Sequence, residues 1–164
     1  MRESVGTATL FEMIIGFTLL FAGFLAVAIN YNKGFKLKNE TLNIIERYEG
    51  INDQSIQIIN KYLDNGGYGT KGYCDVGEYG VKDLTKKDYE LVNNTNQNTK
   101  YFYCLNYFCK DKLCKVSSKN NQIFYNVKLF FNFNLPFFGD LLTFKITGDT
   151  KGIKLYRDAQ KLSD

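Results

Sequence analysis

The sequence contains no histidine and only one proline, and its charges nearly balance. Without imidazole, the chain cannot form a Ser-His-Asp triad, a Cys-His nucleophile or a histidine-ligated zinc site. The 21 basic and 17 acidic side chains leave a net charge of +4, too small to predict a nucleic-acid-binding surface. The scarcity of proline, together with 14 Phe and 12 Tyr, argues against a disordered chain. We therefore expect a folded protein that binds no nucleic acid.

One long apolar run stands apart from the rest of the sequence. Residues 10–29 contain a single charged residue, Glu12. At about 1.5 Å per residue the run spans roughly 30 Å, the thickness of the hydrocarbon core of a bilayer. We predict a short leader or N-terminal segment over residues 1–9, a transmembrane helix over 10–29, a helical stalk and second helix over 30–66, and a β-rich, disulfide-containing domain over 67–164.

The residues after the apolar run predict that the helix continues as a stalk. Apolar and small residues recur there at steps of three and four, which is the spacing of one helix face. These residues are Leu37, Thr41, Ile44 or Ile45, and Tyr48. Gly34 is the weak point, because glycine costs a helix about 1 kcal/mol relative to alanine. We expect one helix from about residue 7 to residue 49, ended by Gly50.

The remaining residues predict a second helix and a sheet. Asn52 or Asp53 caps a short helix that continues through Leu63, and the Asp-Asn-Gly-Gly sequence at 64–67 stops it. Alternating and aromatic-rich segments then predict antiparallel strands, at residues 100–109, 123–134, 141–148 and 152–156. Loops are expected over 93–100 and 135–140. The predicted fold class is α+β: a long N-terminal helix with its first half in the membrane, a short second helix and a small antiparallel β-sheet.

All four cysteines, Cys74, Cys104, Cys109 and Cys114, lie beyond the apolar run. Four cysteines after an export-type segment indicate two disulfides in an oxidising compartment, with three connectivities to choose from. A bond between Cys109 and Cys114 would close a short loop and leave Cys74 to pair with Cys104. A zinc site of four thiolates is one alternative, although the usual paired Cys-x2-Cys spacing is absent. Reduced structural thiols are the other.

The N-terminus admits two interpretations. The small-x-small sequence at 26–28 fits a secretory signal cut before Ile29. A retained anchor is favoured because Glu3 balances Arg2 and because Glu12 interrupts the apolar run. An ionisable group in a membrane span costs roughly 2.5–3.5 kcal/mol in the worst cases. Glu12 therefore either reaches the headgroups or pairs with a positive group of a neighbouring subunit.

The segment Gly6-Thr7-Ala8-Thr9-Leu10-Phe11-Glu12 leads directly into the apolar run. It resembles the N-termini of type IV pilin-like proteins, and of TadE-like pseudopilins most closely. A Leu-Pro-containing loop at 134–137 before a closing strand adds similarity in layout. The resemblance implies that a dedicated peptidase cuts after Gly6 and that Glu12 meets the free amine of an adjacent subunit. In that family the glutamate is usually fifth in the mature chain, whereas a cut after Gly6 makes Glu12 sixth.

The predicted function is therefore that of a membrane-anchored pilin- or pseudopilin-like subunit of a surface filament or its export platform. The scattered carboxylates form no acid/base pair, and the glycine-rich residues 65–72 lack the phosphate-loop pattern, so we expect no enzyme, cofactor or metal. Gly16 and Gly23 would let neighbouring helices pack closely. The expected partners are other copies or related subunits, and membrane lipid.

Two other functions remain open from the sequence. One is a single-pass or secreted extracytoplasmic binding module that uses an aromatic cluster, namely Tyr101, Phe102, Tyr103, Tyr107 and Phe108. A membrane-tethered enzyme is the other. The topology signals also conflict, because Lys33, Lys36 and Lys38 after the span favour a cytoplasmic C-terminal domain. The cysteines and the resemblance favour an extracytoplasmic one, which is the side we expect.

Overall fold

The computed structural model describes residues 2–86, 89–92, 98–109, 122–135 and 139–154, with the backbone alone for 2–7, 133–135 and 139–142. In chain order the elements are α1 (Arg2–Arg47), α2 (Asp53–Asn65), β1 (Tyr79–Val81), β2 (Glu90–Leu91), β3 (Tyr103–Cys109), β4 (Gln122–Leu135), β5 (Gly139–Asp149) and β6 (Ile153–Lys154). The predicted α+β class is confirmed: a long apolar N-terminal helix is followed by a short helix and a small antiparallel sheet.

α1 is one continuous helix of 46 residues, about 69 Å long. It begins at Arg2 rather than near residue 7, because neither proline nor a turn sequence interrupts residues 2–9. It also ends two residues before the predicted position, at Arg47.

The end of α1 is a Schellman motif. The Gly50 N–H donates to the Ile45 carbonyl at 2.9 Å, and the Glu49 N–H donates to the Glu46 carbonyl at 3.3 Å. The left-handed residue of this motif is Glu49, with φ 56°, and Gly50 follows it with φ 138°. Gly50 thus belongs to the turn that ends the helix, as expected, but the helix itself stops earlier.

α2 begins with a capping box, and its N-cap is Asn52, one of the two residues predicted for this position. The Asn52 side chain accepts a hydrogen bond from the Ser55 N–H, and the Ser55 hydroxyl accepts one from the Asn52 N–H. The predicted apolar face is confirmed, because Ile56, Ile59 and Leu63 are fully buried. The helix extends to Asn65 and ends at Gly66.

The six strands form one antiparallel sheet in the order β2-β1-β3-β4-β5, and β6 pairs with β4. Each of the four predicted strand regions overlaps one observed strand, β3, β4, β5 or β6, and β4 and β5 extend beyond the predicted bounds at both ends. β1 and β2 were missed because three and two residues are too few to show a pattern. The predicted loop over 135–140 is wrong at both ends: the strands continue until Leu135 pairs with Gly139. Most of the other predicted loop, residues 93–97, lies outside the described residues.

The core lies between the two helices and one face of the sheet. The predicted stalk face is confirmed, because Leu37, Thr41, Ile44 and Ile45 are buried and Tyr48 packs against the core. The most deeply buried strand residues facing them are Val81, Tyr103, Leu105, Val127 and Leu129.

α1 lies so close to the sheet that a side chain at the contacting glycines would displace a neighbouring side chain. A Cβ at Gly34 would stand 2.8 Å from Ile146 Cδ1, and one at Gly148 would stand 2.8 Å from Lys38 Cδ. In the turn after the helix, a Cβ at Gly50 would stand 2.8 Å from the Tyr125 hydroxyl. From residue 34 to the turn that ends α1, the contacts on β4 therefore move from Phe131 back to Tyr125. β4 runs antiparallel to α1, and the β4–β5 hairpin points toward the N-terminal half of the helix.

Candidate membrane and assembly site

α1 has a long segment, residues 8–22, that is exposed on every side. Large apolar side chains of this segment keep most of their surface free, for example 75% for Met13 and 71% for Leu20. The helix is long and apolar enough to cross a membrane, with a mean hydropathy of 2.2 in its most apolar window and none of that window buried. In water such a surface would be strongly unfavourable, because it exposes large apolar area without any covering element.

Glu12 and Gly16 lie on this exposed segment, and Gly23 directly follows it and is half-buried. Among the described residues, a Cβ added to Gly16 or to Gly23 would meet no atom within 4 Å. Gly6, the predicted cleavage position, lies inside the helical backbone of α1. The structure places these residues along one helix rather than around a pocket, and their roles in assembly and processing stay predictions.

A disulfide joins Cys74 to Cys104, which is the pairing predicted for these two residues. Cys109 is also disulfide-bonded, and Cys114, its predicted partner, lies outside the described residues. Within the described ranges, one group of metal-ligand side chains lies within 4.8 Å of one another: Cys74, Glu78 and Cys104. Because the two sulfur atoms are bonded to each other, this group is not a thiolate site. The alternative of four zinc-binding thiolates is therefore wrong.

A buried ion cluster lies beside this disulfide, and the sequence did not predict it. Lys128 is the cross-strand partner of Cys104, and its Nζ lies 2.6 Å from Asp75 Oδ2 and 2.7 Å from Glu78 Oε1. The side chains of Lys128 and Glu78 are 6% and 8% exposed, whereas that of Asp75 is 75% exposed. Glu78 also accepts a hydrogen bond from the Asp75 N–H at 2.7 Å. The cluster thus fixes the 75–78 turn to β4.

The cluster shifts the pKa values of its members. Burial lowers the pKa of Lys128, but hydrogen bonds to Asp75 and Glu78 outweigh it, and the pKa is raised. The hydrogen bond from Lys128 lowers the pKa of Asp75. Lysine in an alternating strand such as residues 123–134 normally indicates a solvent-facing position, which is why a buried ion pair at Lys128 was not predicted. The paired charges have a structural role, because they hold the 75–78 turn against β4.

The aromatic cluster divides between core and surface. Tyr101 and Tyr103 are buried, and Phe102 packs partly buried against the core. Tyr103 donates a hydrogen bond to Asn60 Oδ1 at 2.7 Å, so its hydroxyl joins β3 to α2. Only the last two residues reach the surface: Tyr107 is 39% exposed and Phe108 is 48% exposed. The five residues therefore do not form one binding surface.

Comparisons with protein-family models, with curated proteins and with solved structures found no match to this chain.

Proposed function

We propose that this chain is a membrane-anchored, pilin- or pseudopilin-like subunit that assembles with other copies or related subunits through the N-terminal half of α1. The observation that carries the proposal is the division of one helix into two halves. Its C-terminal half is packed against the sheet, whereas residues 8–22 are exposed and nothing in the described part of the chain covers them. The resemblance of residues 6–29 to type IV pilin-like proteins supports the same conclusion.

In this proposal, two kinds of contact bury the exposed half of α1. Lipid surrounds the large apolar side chains, and the hydrocarbon core of a bilayer is as thick as about twenty residues of helix are long. A neighbouring helix packs against Gly16 and Gly23, because these glycines leave open space where another backbone can approach. Glu12 then pairs with a positive group of the neighbouring subunit, which offsets the cost of placing a carboxylate in the apolar run.

The C-terminal domain is proposed to lie outside the cytoplasm. The Cys74–Cys104 disulfide supports this side, because disulfides persist in oxidising compartments and are rare in the cytosol. The opposing lysine bias after the span is a statistical preference that an assembly-specific insertion route can override. Labelling of the lysines on intact cells tests the orientation: modification of Lys154 before lysis is expected, and modification only after lysis contradicts it.

Substitution of Glu12 tests the assembly. Full-length protein in detergent is transferred to conditions that allow association, and assemblies are measured by sedimentation and electron microscopy. The Glu12→Ala variant should insert into vesicles like the original chain but lose most of its assembly. Glu40→Ala, which removes a carboxylate of the same helix beyond the apolar run, is the matched control and should assemble normally. Normal assembly of Glu12→Ala would contradict the proposed pairing.

A second candidate is an extracytoplasmic binding module. The exposed Tyr107 favours it, because its ring stacks on that of Tyr79 with centroids 6.2 Å apart and so presents a flat aromatic surface. In that case full-length protein in detergent would remain monomeric, and Tyr107→Ala would abolish partner binding without affecting the domain's stability. We favour the pilin-like subunit, because a binding module formed by Tyr79 and Tyr107 does not explain the long exposed helix.

A further inference from the structure

The β4–β5 hairpin extends toward the membrane-spanning half of α1. Phe131 of β4 and Ile146 of β5 lie beside Gly34, and from there β4 continues through four more residues to Leu135. The two strands stay paired to the end, where Leu135 faces Gly139. We call the paired end, residues 134–135 and 139–142, the hairpin end.

The hairpin end reaches the level of the apolar run. Four strand residues advance about 13 Å, and about nine residues of helix cover the same distance. Nine residues back from Gly34 is Leu25, so Leu135 lies near Leu25 in position along the axis of α1. The apolar run ends at Ile29, so the hairpin end lies about one helical turn inside the layer that the helix predicts for the hydrocarbon core.

Partial burial along α1 supports this position. Ala26, Val27 and Asn30 are half-buried, and they continue the face of the buried Gly34 at steps of three and four. Ala22, one turn earlier, is exposed, so cover on this face begins between these two alanines. This half-buried face continues the surface that packs on β4 and β5, as expected if the hairpin covers it.

The composition of the hairpin end suits lipid rather than water. Leu135, Leu141 and Leu142 belong to it, and Asp140 is its one charged residue. The intervening sequence, Pro-Phe-Phe at 136–138, is apolar as well. The turn-forming residues Asn134, Gly139 and Asp140 lie beside these apolar residues, so the hairpin end combines a polar and an apolar part, which suits the lipid interface better than the bilayer centre.

Cationic and aromatic residues lie one layer further from the membrane centre. Lys33 and Lys36 of α1 and Lys145 of β5 are exposed at the level of Gly34. Tyr31 and Phe35, with ring centroids 5.2 Å apart, lie at the same level and are 51% and 38% exposed. Aromatic rings and lysines of this kind mark the headgroup region, where lysines attract anionic lipid.

We propose that the hairpin end is a second membrane contact, inserted at the lipid interface beside α1, with the Lys33, Lys36 and Lys145 ammonium groups on the headgroups. The proposal rests on the membrane anchor of the proposed function, but not on assembly. With this contact, the sheet domain lies on the bilayer surface, and the stalk does not hold it away from the membrane.

Single tryptophans test this contact, because the chain contains no tryptophan of its own. Full-length Leu135→Trp and Leu142→Trp variants are reconstituted in vesicles of phosphatidylcholine and phosphatidylglycerol with acyl chains brominated near the headgroup or near the bilayer centre. Leu20→Trp reports the anchor. Lys154→Trp is the negative control, because its β4 partner Gln122 lies 13 residues, about 43 Å, from Leu135.

We expect both hairpin tryptophans to lose most of their emission to the shallow bromines and less to the deep ones, while Lys154→Trp is unaffected. If both hairpin variants behave like Lys154→Trp while Leu20→Trp is quenched, the proposal is wrong and the anchor stands. If Leu20→Trp is not quenched either, the anchor of the proposed function is contradicted, and this contact with it. Two hairpin positions are used so that misfolding of one variant still leaves a decisive measurement.

Discussion

Gly34 of α1 and Ile146 of β5 approach each other so closely that a Cβ on residue 34 would stand 2.8 Å from Ile146 Cδ1. The same Cβ would stand 3.3 Å from the ring of Phe131. A glycine that weakens the helix by about 1 kcal/mol relative to alanine therefore occupies a position where α1 packs closely against the sheet. Its role is close packing, not flexibility, because α1 runs through it without a break.

Replacing Gly34 by leucine should destabilise the domain. The larger side chain has no space between the helix and β5, so overpacking should lower the free energy of unfolding by about 1–3 kcal/mol. Gly16→Leu is the matched control, because a Cβ at residue 16 has no atom of the described residues within 4 Å. Urea unfolding of full-length protein in detergent measures both. Equal stability of the two variants would show that Gly34 is not required by packing.

Removing the Lys128 ammonium should be more costly. Lys128→Met leaves the buried Glu78 carboxylate without its cation, and breaking a buried pair in this way typically costs about 3–5 kcal/mol. The double variant Lys128→Met/Glu78→Leu removes both charges and should recover a large part of the loss. Thermal unfolding of the three proteins provides the comparison. Additive losses in the double variant would show that the two side chains do not stabilise each other.

Stability should fall in acid because of Asp75. The hydrogen bond from Lys128 holds the folded pKa of Asp75 below its ordinary value of 3.8, so the stabilisation is fully present above that value and is lost as the pH falls through the folded pKa. Urea midpoints measured between about pH 5 and pH 2 should therefore decline, and Asp75→Asn should reduce the decline. Asp64→Asn changes an exposed aspartate outside the cluster and should leave the profile unchanged. An identical profile for Asp75→Asn would exclude this origin.

The end of α1 offers a stabilising substitution. Glu49 is held at φ 56°, a conformation that glycine adopts without the steric penalty of a Cβ. Glu49→Gly should raise the free energy of unfolding by about 1 kcal/mol, after the larger entropy of glycine in the unfolded chain is deducted. Gly50→Ala should do the opposite, because that position has φ 138° and a Cβ there would meet the Tyr125 hydroxyl. Calorimetry on both variants would reveal the opposite signs, and a destabilised Glu49→Gly would refute the argument.

Much of the fold was predictable because its signals are local. The steps of three and four through Leu37 and Thr41 gave the packed face of α1, and the Asn52 cap gave the start of α2. Alternation and aromatic content located the long strands. The pairing of Cys74 with Cys104 was reached by assuming a short loop for the other two cysteines.

What could not be predicted depends on contacts between distant residues. Lys128 and Glu78 are 50 residues apart, and only the β3–β4 register brings the lysine over the 75–78 turn. β1 is too short to show a period, and it becomes a strand because β2 and β3 pair with it on both sides. The sequence analysis described Gly34 only as a weak point of the helix for the same reason. A sequence shows what a glycine costs its own helix, but it does not show that Ile146 and Phe131 pack against it.

The unbroken course of α1 couples the angular position of Glu12 to that of the sheet. In an α-helix each residue turns the chain by about 100° and advances it by about 1.5 Å. One residue inserted between Ile29 and Gly34 would therefore rotate the whole sheet by about that angle around the helix axis relative to Glu12. Neighbours that recognise Glu12 would then meet a different side of the domain. The number of residues between Glu12 and Gly34 therefore sets the angle between Glu12 and the sheet around the helix axis. Insertions and deletions in this part of α1 should be tolerated less well than substitutions.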